Sequence, residues 1–141
     1  MESREGSANV ATVMSLYDAF RSGDNVKPFE LYDRDIIWRV NVDDMPDLPP
    51  VSYGHDGVRE FWRTWLSAWE LIQFEVATIE EIEDGVVLAE IRQASRGRLS
   101  GAEIPFTWFQ VWRLRAGKVI ASYGRKSREE VLAVAGIETA T

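Results

Sequence analysis

The feature that most constrains the fold is a strand-like alternation near the carboxyl terminus. Large side chains occupy every second position there, and a tight turn follows at 115–118. The alternating residues are Phe106, Trp108, Gln110, Trp112 and Leu114. Successive side chains of a β-strand point to opposite faces, so these five share one face of a sheet. Four large apolar groups around one amide are typical of a small-molecule pocket, so the pattern predicts a ligand site on this strand.

Composition indicates one globular domain. The chain has 141 residues, 45% hydrophobic residues and six tryptophans, which excludes a disordered chain. It has no cysteine and a single histidine, so neither a disulfide framework nor a histidine cluster for zinc is expected. No cofactor motif is present. We expect a single domain over residues 1–141, with flexible segments at 1–7 and 137–141.

Charge and hydropathy limit the expected partners. The formal net charge is −7, whereas a duplex-binding protein needs a basic face to displace counterions from phosphates. The sequence contains no apolar run of the ~18 residues that a membrane span needs. Its first residues lack the basic and then apolar order of a secretory signal. These observations predict a cytoplasmic protein that binds neither nucleic acid nor membrane.

The charges are unevenly distributed along the chain. Residues 70–91 contain seven acids and no Lys or Arg, whereas residues 92–128 contain nine bases and one acid, Glu103. Either acidic and basic strands pair across the sheet, which we favour, or the bases attract an anion near the pocket mouth. Arg92 can face the pocket or the outer side of the sheet. We favour the outer side, because an unpaired buried guanidinium is costly.

Periodicity predicts helices and strands in an α+β order. Apolar residues at helical spacing predict a first helix that ends at 22–24, a short second helix over 25–32 and a third helix from Gly54. A strand over 35–42 and a loop over 43–50 separate the second and third helices. Short turns then join strands over 72–83, 86–95, 104–115 and 118–125, which makes neighbours antiparallel. A capping box at 127–130 begins a last helix that Gly136 ends.

Four motifs in this order resemble the SnoaL-like (polyketide cyclase-like) branch of the nuclear transport factor two-like superfamily. They are YDAFRSGD at 17–24, GHDGVREFW at 54–62, RLRAGKVI at 113–120 and SREEVLAVAG at 127–136. The resemblance spans nearly the whole chain. It implies a cone-shaped roll in which a curved antiparallel sheet wraps on three N-terminal helices, with a short C-terminal helix. It also implies a pocket between sheet and helices, and frequent dimerisation through the outer face of the sheet.

Membership of this superfamily would not identify one activity. Its members include polyketide cyclases, ketosteroid isomerases, epoxide hydrolases, dehydratases and proteins without catalysis, and a fold does not choose among them. The isomerases' base, hydroxyl donor and carboxyl donor correspond here to Val40, Leu16 and Gln110. The base and the hydroxyl are missing, so a ketosteroid isomerase mechanism is not expected. Gln110 retains an amide that could donate to a ligand carbonyl.

The acid–base candidates are few. Asp43 and Asp44 follow the first strand and could reach the pocket if their loop folds inward, although a solvated loop is the commoner situation. A metal site formed with Asp47 is less favoured, because loop carboxylates without fixed geometry are common. As the one histidine of the chain, His55 could act as an acid or a base. Its place at the beginning of the third helix favours a role in starting that helix instead. We therefore predict no metal and leave the catalytic residues open.

Aromatic residues are expected to form the pocket wall, and the other face of the strand at 104–115 is expected to form a dimer interface. Tyr17 lies on an apolar helix face and is assigned to the core. The predicted pocket residues are Tyr32, Trp38, Tyr53, Trp62, Trp65, Trp108, Gln110, Trp112 and Tyr123. The predicted homodimer face consists of Phe109, Val111 and Arg113, because an exposed apolar face usually marks an interface.

Three functions remain open. The first is a cofactor-independent cyclase, isomerase or dehydratase that acts on an apolar or aromatic metabolite and has Asp43, Asp44 or His55 pointing inward. The second is a non-catalytic carrier of such a molecule. The third is an interaction domain with a filled cone.

Overall fold

The computed structural model describes residues 7–40, 48–67, 69–97 and 101–137. Four helices and six strands follow each other along these residues. In chain order they are α1 (Ala8–Ser22), α2 (Lys27–Leu31), β1 (Tyr32–Val40), β2 (Ser52–Tyr53), α3 (Gly54–Ser67), β3 (Trp69–Glu83), β4 (Val86–Gly97), β5 (Glu103–Arg115), β6 (Lys118–Arg125) and α4 (Arg128–Val134). The α+β order that periodicity predicts is confirmed. Most of the predicted loop, including Asp43, Asp44 and Asp47, lies outside the described residues.

The strands form one curved, open sheet in the order β2-β1-β6-β5-β4-β3. The run β3–β4–β5–β6 is antiparallel, as its short turns require. β1 differs from the expected antiparallel arrangement, because it pairs parallel with β6. A long stretch of chain that includes α3 joins these two strands, so no tight turn fixes their relative direction.

Alternation along the strands separates two apolar layers. Trp112 and Leu114 of β5 belong to the main core, which α1, α2 and α3 cover on the inner face of the sheet. Val111, one position away, belongs to a smaller cluster on the outer face, where Val131 and Leu132 of α4 cover it. The predicted period of two in β5 is therefore confirmed, and the curved sheet wraps on α1, α2 and α3 in the predicted cone.

Polar side chains begin two of the helices. The Ser7 hydroxyl accepts a hydrogen bond from the Val10 amide at 3.0 Å and starts α1. The Ser127 hydroxyl accepts from the Glu130 amide at 3.1 Å, which confirms the predicted start of the last helix. Within the described ranges, no helix is long and apolar enough to cross a membrane.

β2 has no local signal in the sequence. It is two residues long and pairs with β1 through Tyr53 opposite Ile37 and Ser52 opposite Trp38. This short pairing depends on the return of the chain to the edge of β1, a tertiary event that alternation cannot predict.

The turn between β3 and β4 provides a stability test. Gly85 has φ 77°, and a Cβ atom there would lie 2.7 Å from the Leu114 carbonyl oxygen. Gly117 has a similar φ of 79° but no atom within 4 Å of an added Cβ. Both alanine substitutions incur a backbone strain of about 1–3 kcal/mol, and only Gly85→Ala adds a clash, which costs about 1–3 kcal/mol more. We expect urea denaturation to show a clearly greater loss for Gly85→Ala, and equal losses would contradict the described packing of this turn.

Candidate functional site

A cavity of about 910 Å³ lies between the inner face of the sheet and the helices. Ten aromatic side chains contribute to its wall: Tyr17, Phe20, Phe29, Tyr32, Trp38, Phe61, Trp62, Trp65, Phe74 and Trp108. Neutral amides line it at Asn25, Gln73, Gln93 and Gln110. The site is thus an apolar chamber with a few polar groups, which is the usual composition of a small-molecule pocket.

Trp38 is the centre of the aromatic wall. Its ring centroid lies 5.7 Å from that of Tyr32, 5.8 Å from that of Phe61 and 5.9 Å from that of Trp62. The alternation of β1 turns Trp38 inward, and α3 presents Phe61 and Trp62 to it. The Trp38 ring meets that of Trp62 edge to face and that of Phe61 at a tilted angle, so side chains from a strand and a helix form one cluster.

Gln110 belongs to a buried chain of hydrogen bonds. The Trp112 indole N–H donates to the Tyr17 hydroxyl at 2.9 Å, and that hydroxyl donates to Gln110 Oε1 at 2.8 Å. Gln110 Nε2 donates to the Ser122 hydroxyl at 2.9 Å. The amide that was expected to orient a ligand lines the cavity, but its oxygen and one amide hydrogen are already used inside the chain.

Tyr17 and Gln93 are cavity residues that the sequence analysis did not assign to the site. Tyr17 is only 2% exposed and packs in the core as predicted, yet it also lines the cavity. Gln93 accepts from the Trp108 indole N–H at 3.0 Å and donates to Ser95 at 2.9 Å. A sequence signal existed for Gln93, because it shares the inward parity of Ile91 in β4.

Three polar atoms of the wall have no partner. Among the described residues, the Tyr32 hydroxyl, Trp38 Nε1 and Trp62 Nε1 are sheltered from solvent and form no hydrogen bond. Burial raises the pKa of the Tyr32 hydroxyl. The Trp62 indole lies near enough to offset part of that rise, but its N–H and the hydroxyl do not have the geometry of a hydrogen bond. Buried polar groups of native proteins nearly always have partners, so this cluster requires an explanation.

The charged groups of the cavity are Arg21, Asp24, Arg59 and Arg63. The Arg59 guanidinium lies 4.3 Å from the ring centroid of Phe29, and that of Arg21 lies 4.8 Å from the ring centroid of Phe74. Asp24 accepts hydrogen bonds from the amides of Lys27 and Val26, which lower the pKa of its carboxyl. Its carboxylate thus supports the turn into α2, and no other described residue of the lining carries a carboxylate.

The structure brings six of the nine predicted pocket residues together around the cavity. They are Tyr32, Trp38, Trp62, Trp65, Trp108 and Gln110. The other three do not line it. Trp112 is fully buried in the core, Tyr53 is 64% exposed at the edge of the sheet, and Tyr123 packs in the outer cluster. The register of β6 explains Tyr123, because its neighbour Ser122 faces inward to Gln110.

His55 connects the starts of two elements. Its Nε2 lies 3.0 Å from the Tyr32 carbonyl oxygen, and its ring contacts that of Phe29 at 5.4 Å. Because a carbonyl only accepts, Nε2 carries the hydrogen in this contact. His55 does not line the cavity. This contact joins the start of α3 to the start of β1, and the role of His55 in starting α3 stays a prediction.

The predicted dimer face is partly covered by the chain itself. Val111 is fully buried beneath α4, and an Arg113 guanidinium N–H donates to the Ala135 carbonyl at 2.7 Å. Phe109 packs at the border of the same cluster. The dimer prediction depends on an exposed apolar face of the sheet. Where α4 covers that face, the apolar residues are buried within the chain and give no reason to expect a dimer.

Arg92 lies on the outer side of the sheet, as favoured. Its guanidinium lies 3.7 Å from Glu75 and 3.9 Å from Glu90. Glu75 belongs to β3, so this contact is a charge pair across neighbouring strands. Across the ranges that the structure describes, no three His, Asp or Glu side chains form a group that could hold a metal ion.

Comparison with known proteins agrees with this geometry. A family model for the SnoaL-like domain matches residues 13–122. The chain belongs to the SnoaL-like family. A comparison of this SnoaL-like chain with curated protein sequences found no match.

Solved structures of low sequence identity share the fold. An NTF2-like protein of unknown function from Burkholderia pseudomallei has a TM-score of 0.78 at 20% identity, over 90% of this chain and 96% of that one. TerC, which was co-crystallised with polyporic acid, has a TM-score of 0.76 at 18% identity, over 90% and 99%. IdmH from Streptomyces antibioticus, described as a candidate polyketide cyclase, has a TM-score of 0.69 at 18% identity, over 92% and 99%. These likenesses establish an NTF2-like fold for this SnoaL-like domain.

The two buried tyrosines predict a loss of stability in alkali. Burial raises the pKa of Tyr17 and that of Tyr32 above the ordinary value near 10. Their contribution is fully present below that value. At higher pH the unfolded chain loses these protons first, so the free energy of unfolding falls by up to about 1.4 kcal/mol per pH unit for each tyrosine. Urea denaturation between pH 8 and pH 11 measures the slope, and Tyr32→Phe should reduce it. A pH-independent free energy of unfolding would contradict this assignment.

Proposed function

We propose that the cavity binds an apolar, ring-containing small molecule. The observation that carries the proposal is the wall of ten aromatic side chains around a cavity of about 910 Å³. That volume lies within the range of roughly 300–1,000 Å³ that small-molecule sites occupy. Flat rings in the wall favour flat or polycyclic ligands, since offset and edge-to-face contacts add to the burial of apolar surface.

The relatives support this choice of ligand class. TerC was crystallised with polyporic acid, and IdmH is described as a candidate polyketide cyclase. By analogy, the proposed ligand of this chain is an apolar or aromatic metabolite that carries oxygen substituents. The analogy rests on the shared family and fold, and the aromatic wall of this chain supports it independently.

Cofactor-independent catalysis is the second candidate. Enolisation or ring closure requires a base near the ligand, and Asp24 carries the one carboxylate among the described lining residues. Val40 lines the cavity, and Asp43 and Asp44 follow it in the sequence by three and four residues. These two acids are the bases that we propose for a cyclase, isomerase or dehydratase reaction. Binding is the preferred proposal, because it rests on cavity residues within the described ranges, whereas Asp43 and Asp44 lie outside them.

Isothermal titration calorimetry with polyporic acid tests the binding proposal. We expect one molecule to bind per chain. Ala19→Leu adds volume at a buried position of the wall, so it should weaken binding about tenfold. Ala133→Leu is the matched control, because Ala133 is exposed on α4. Absence of heat with polyporic acid and with a panel of polycyclic ketones, or equal binding by Ala19→Leu, would reject the proposal.

Dimerisation stays a prediction from the sequence. With α4 over Val111, the neighbouring outer surface presents Glu75, Glu90 and Arg92, which are polar. A dimer through this face would therefore bury α4 together with charged strand residues. Light scattering at micromolar concentration measures the mass, and a monomeric mass would overturn the prediction.

A further inference from the structure

We propose that Tyr32, Trp38 and Trp62 form a donor subsite that recognises an oxygen acceptor of the ligand, such as a ketone, quinone or phenolate oxygen. This inference rests on the proposed binding function. It adds the feature of the ligand that the cavity selects, namely an oxygen acceptor. A pocket with aromatic walls alone would accept a hydrocarbon as readily as its ketone. The donor subsite favours binding of the ketone over binding of the hydrocarbon.

The first argument is a contrast among tryptophans of the core and of the cavity wall. The indole N–H groups of Trp112 in the core and of Trp108 in the wall donate to Tyr17 and Gln93 inside the chain. The indole N–H groups of Trp38 and Trp62 and the hydroxyl of Tyr32 have no partner among the described residues. The described chain therefore supplies acceptors for the first two indoles and leaves these three wall groups unpartnered. Burying a polar group without a partner is unfavourable, and a ligand that supplies acceptors removes that cost.

The second argument is that these three groups belong to one place. Trp38 is 1% exposed and Tyr32 is 2% exposed. Their rings are neighbours, and the ring of Trp62 also contacts that of Trp38. All three residues line the same cavity. The three unpartnered groups therefore belong to one cluster in the wall of one cavity.

The third argument concerns the direction of the hydrogen bonds. An indole N–H can only donate. Burial favours the neutral Tyr32 phenol, so this hydroxyl also retains its hydrogen. Three donors select for an acceptor and against an ammonium or amide N–H. Because these polar atoms are sheltered in the described chain, binding requires side-chain adjustments within the aromatic cluster.

Nuclear magnetic resonance of the indole N–H groups tests the subsite directly. The probes are fluorene and 9-fluorenone, which share a carbon skeleton and differ by one carbonyl oxygen. We expect 9-fluorenone, but not fluorene, to move the N–H resonance of Trp38 or Trp62 downfield. The N–H resonances of Trp108 and Trp112, which are already bonded, should move less and serve as internal controls. Spectra of Trp38→Phe and Trp62→Phe assign the signals.

Affinity measurements separate this inference from the binding proposal. Tyr32→Phe removes one oxygen and should weaken binding of 9-fluorenone by about 3–10-fold while leaving fluorene unchanged. Tyr53→Phe is the matched control, because Tyr53 is exposed and lies outside the cavity lining. If both probes bind with equal shifts and equal affinities, the donor subsite is wrong and the binding proposal stands. If neither probe binds, the donor subsite is rejected, and the calorimetry with polyporic acid and the polycyclic ketones decides the binding proposal.

Discussion

The packing of rings around Trp38 is the interaction on which the rest of the site depends. This side chain comes from the second half of β1 and contacts rings from α3, from β5 and from the start of its own strand. Trp38 belongs to the main core and also lines the cavity. One aromatic cluster therefore both stabilises the fold and shapes the cavity.

Hydrogen bonding divides that cavity into two regions. Near β5, the network from Trp112 through Tyr17 and Gln110 to Ser122 is satisfied within the chain and fixes the side chains in place. Such satisfied buried networks add rigidity and specify one arrangement. The region around Tyr32 and Trp38 lacks this internal pairing among the described residues. The first region is a preorganised wall, and the second is where ligand chemistry can contribute.

Local patterns predicted the elements well. The alternation of β5, the helical spacing of α3 and the Ser127 cap each depend on neighbouring residues, and all three are present in the structure. The pocket position of Gln110 follows from the same parity. Sequence patterns also gave the family, because the four motifs occur in the family's order.

Long-range relations were less predictable. The parallel pairing of β1 with β6 and the cover that α4 places over Val111 depend on how distant segments return to the sheet. Parity in β4 could have identified Gln93, whereas the engagement of its amide by Trp108 depends on how side chains of β4 and β5 meet across the sheet. A sequence likewise cannot tell a free indole N–H from a bonded one, so the difference between Trp38 and Trp108 is visible only in three dimensions.

Charge at the mouth contributes less to selectivity than its three arginines suggest. The basic stretch of the sequence begins with Arg92, whose partners are acids on the outer side of the sheet. The mouth arginines come from helices, and each lies beside an acid one turn earlier: Arg21 with Asp18, Arg59 with Asp56 and Arg63 with Glu60. An anionic ligand would have to compete with these exposed pairs, and such pairs are weak and screened by salt. Discrimination between ligands must therefore come mainly from the polar atoms of the wall that are sheltered from solvent, because hydrogen bonds are stronger in a low-dielectric environment.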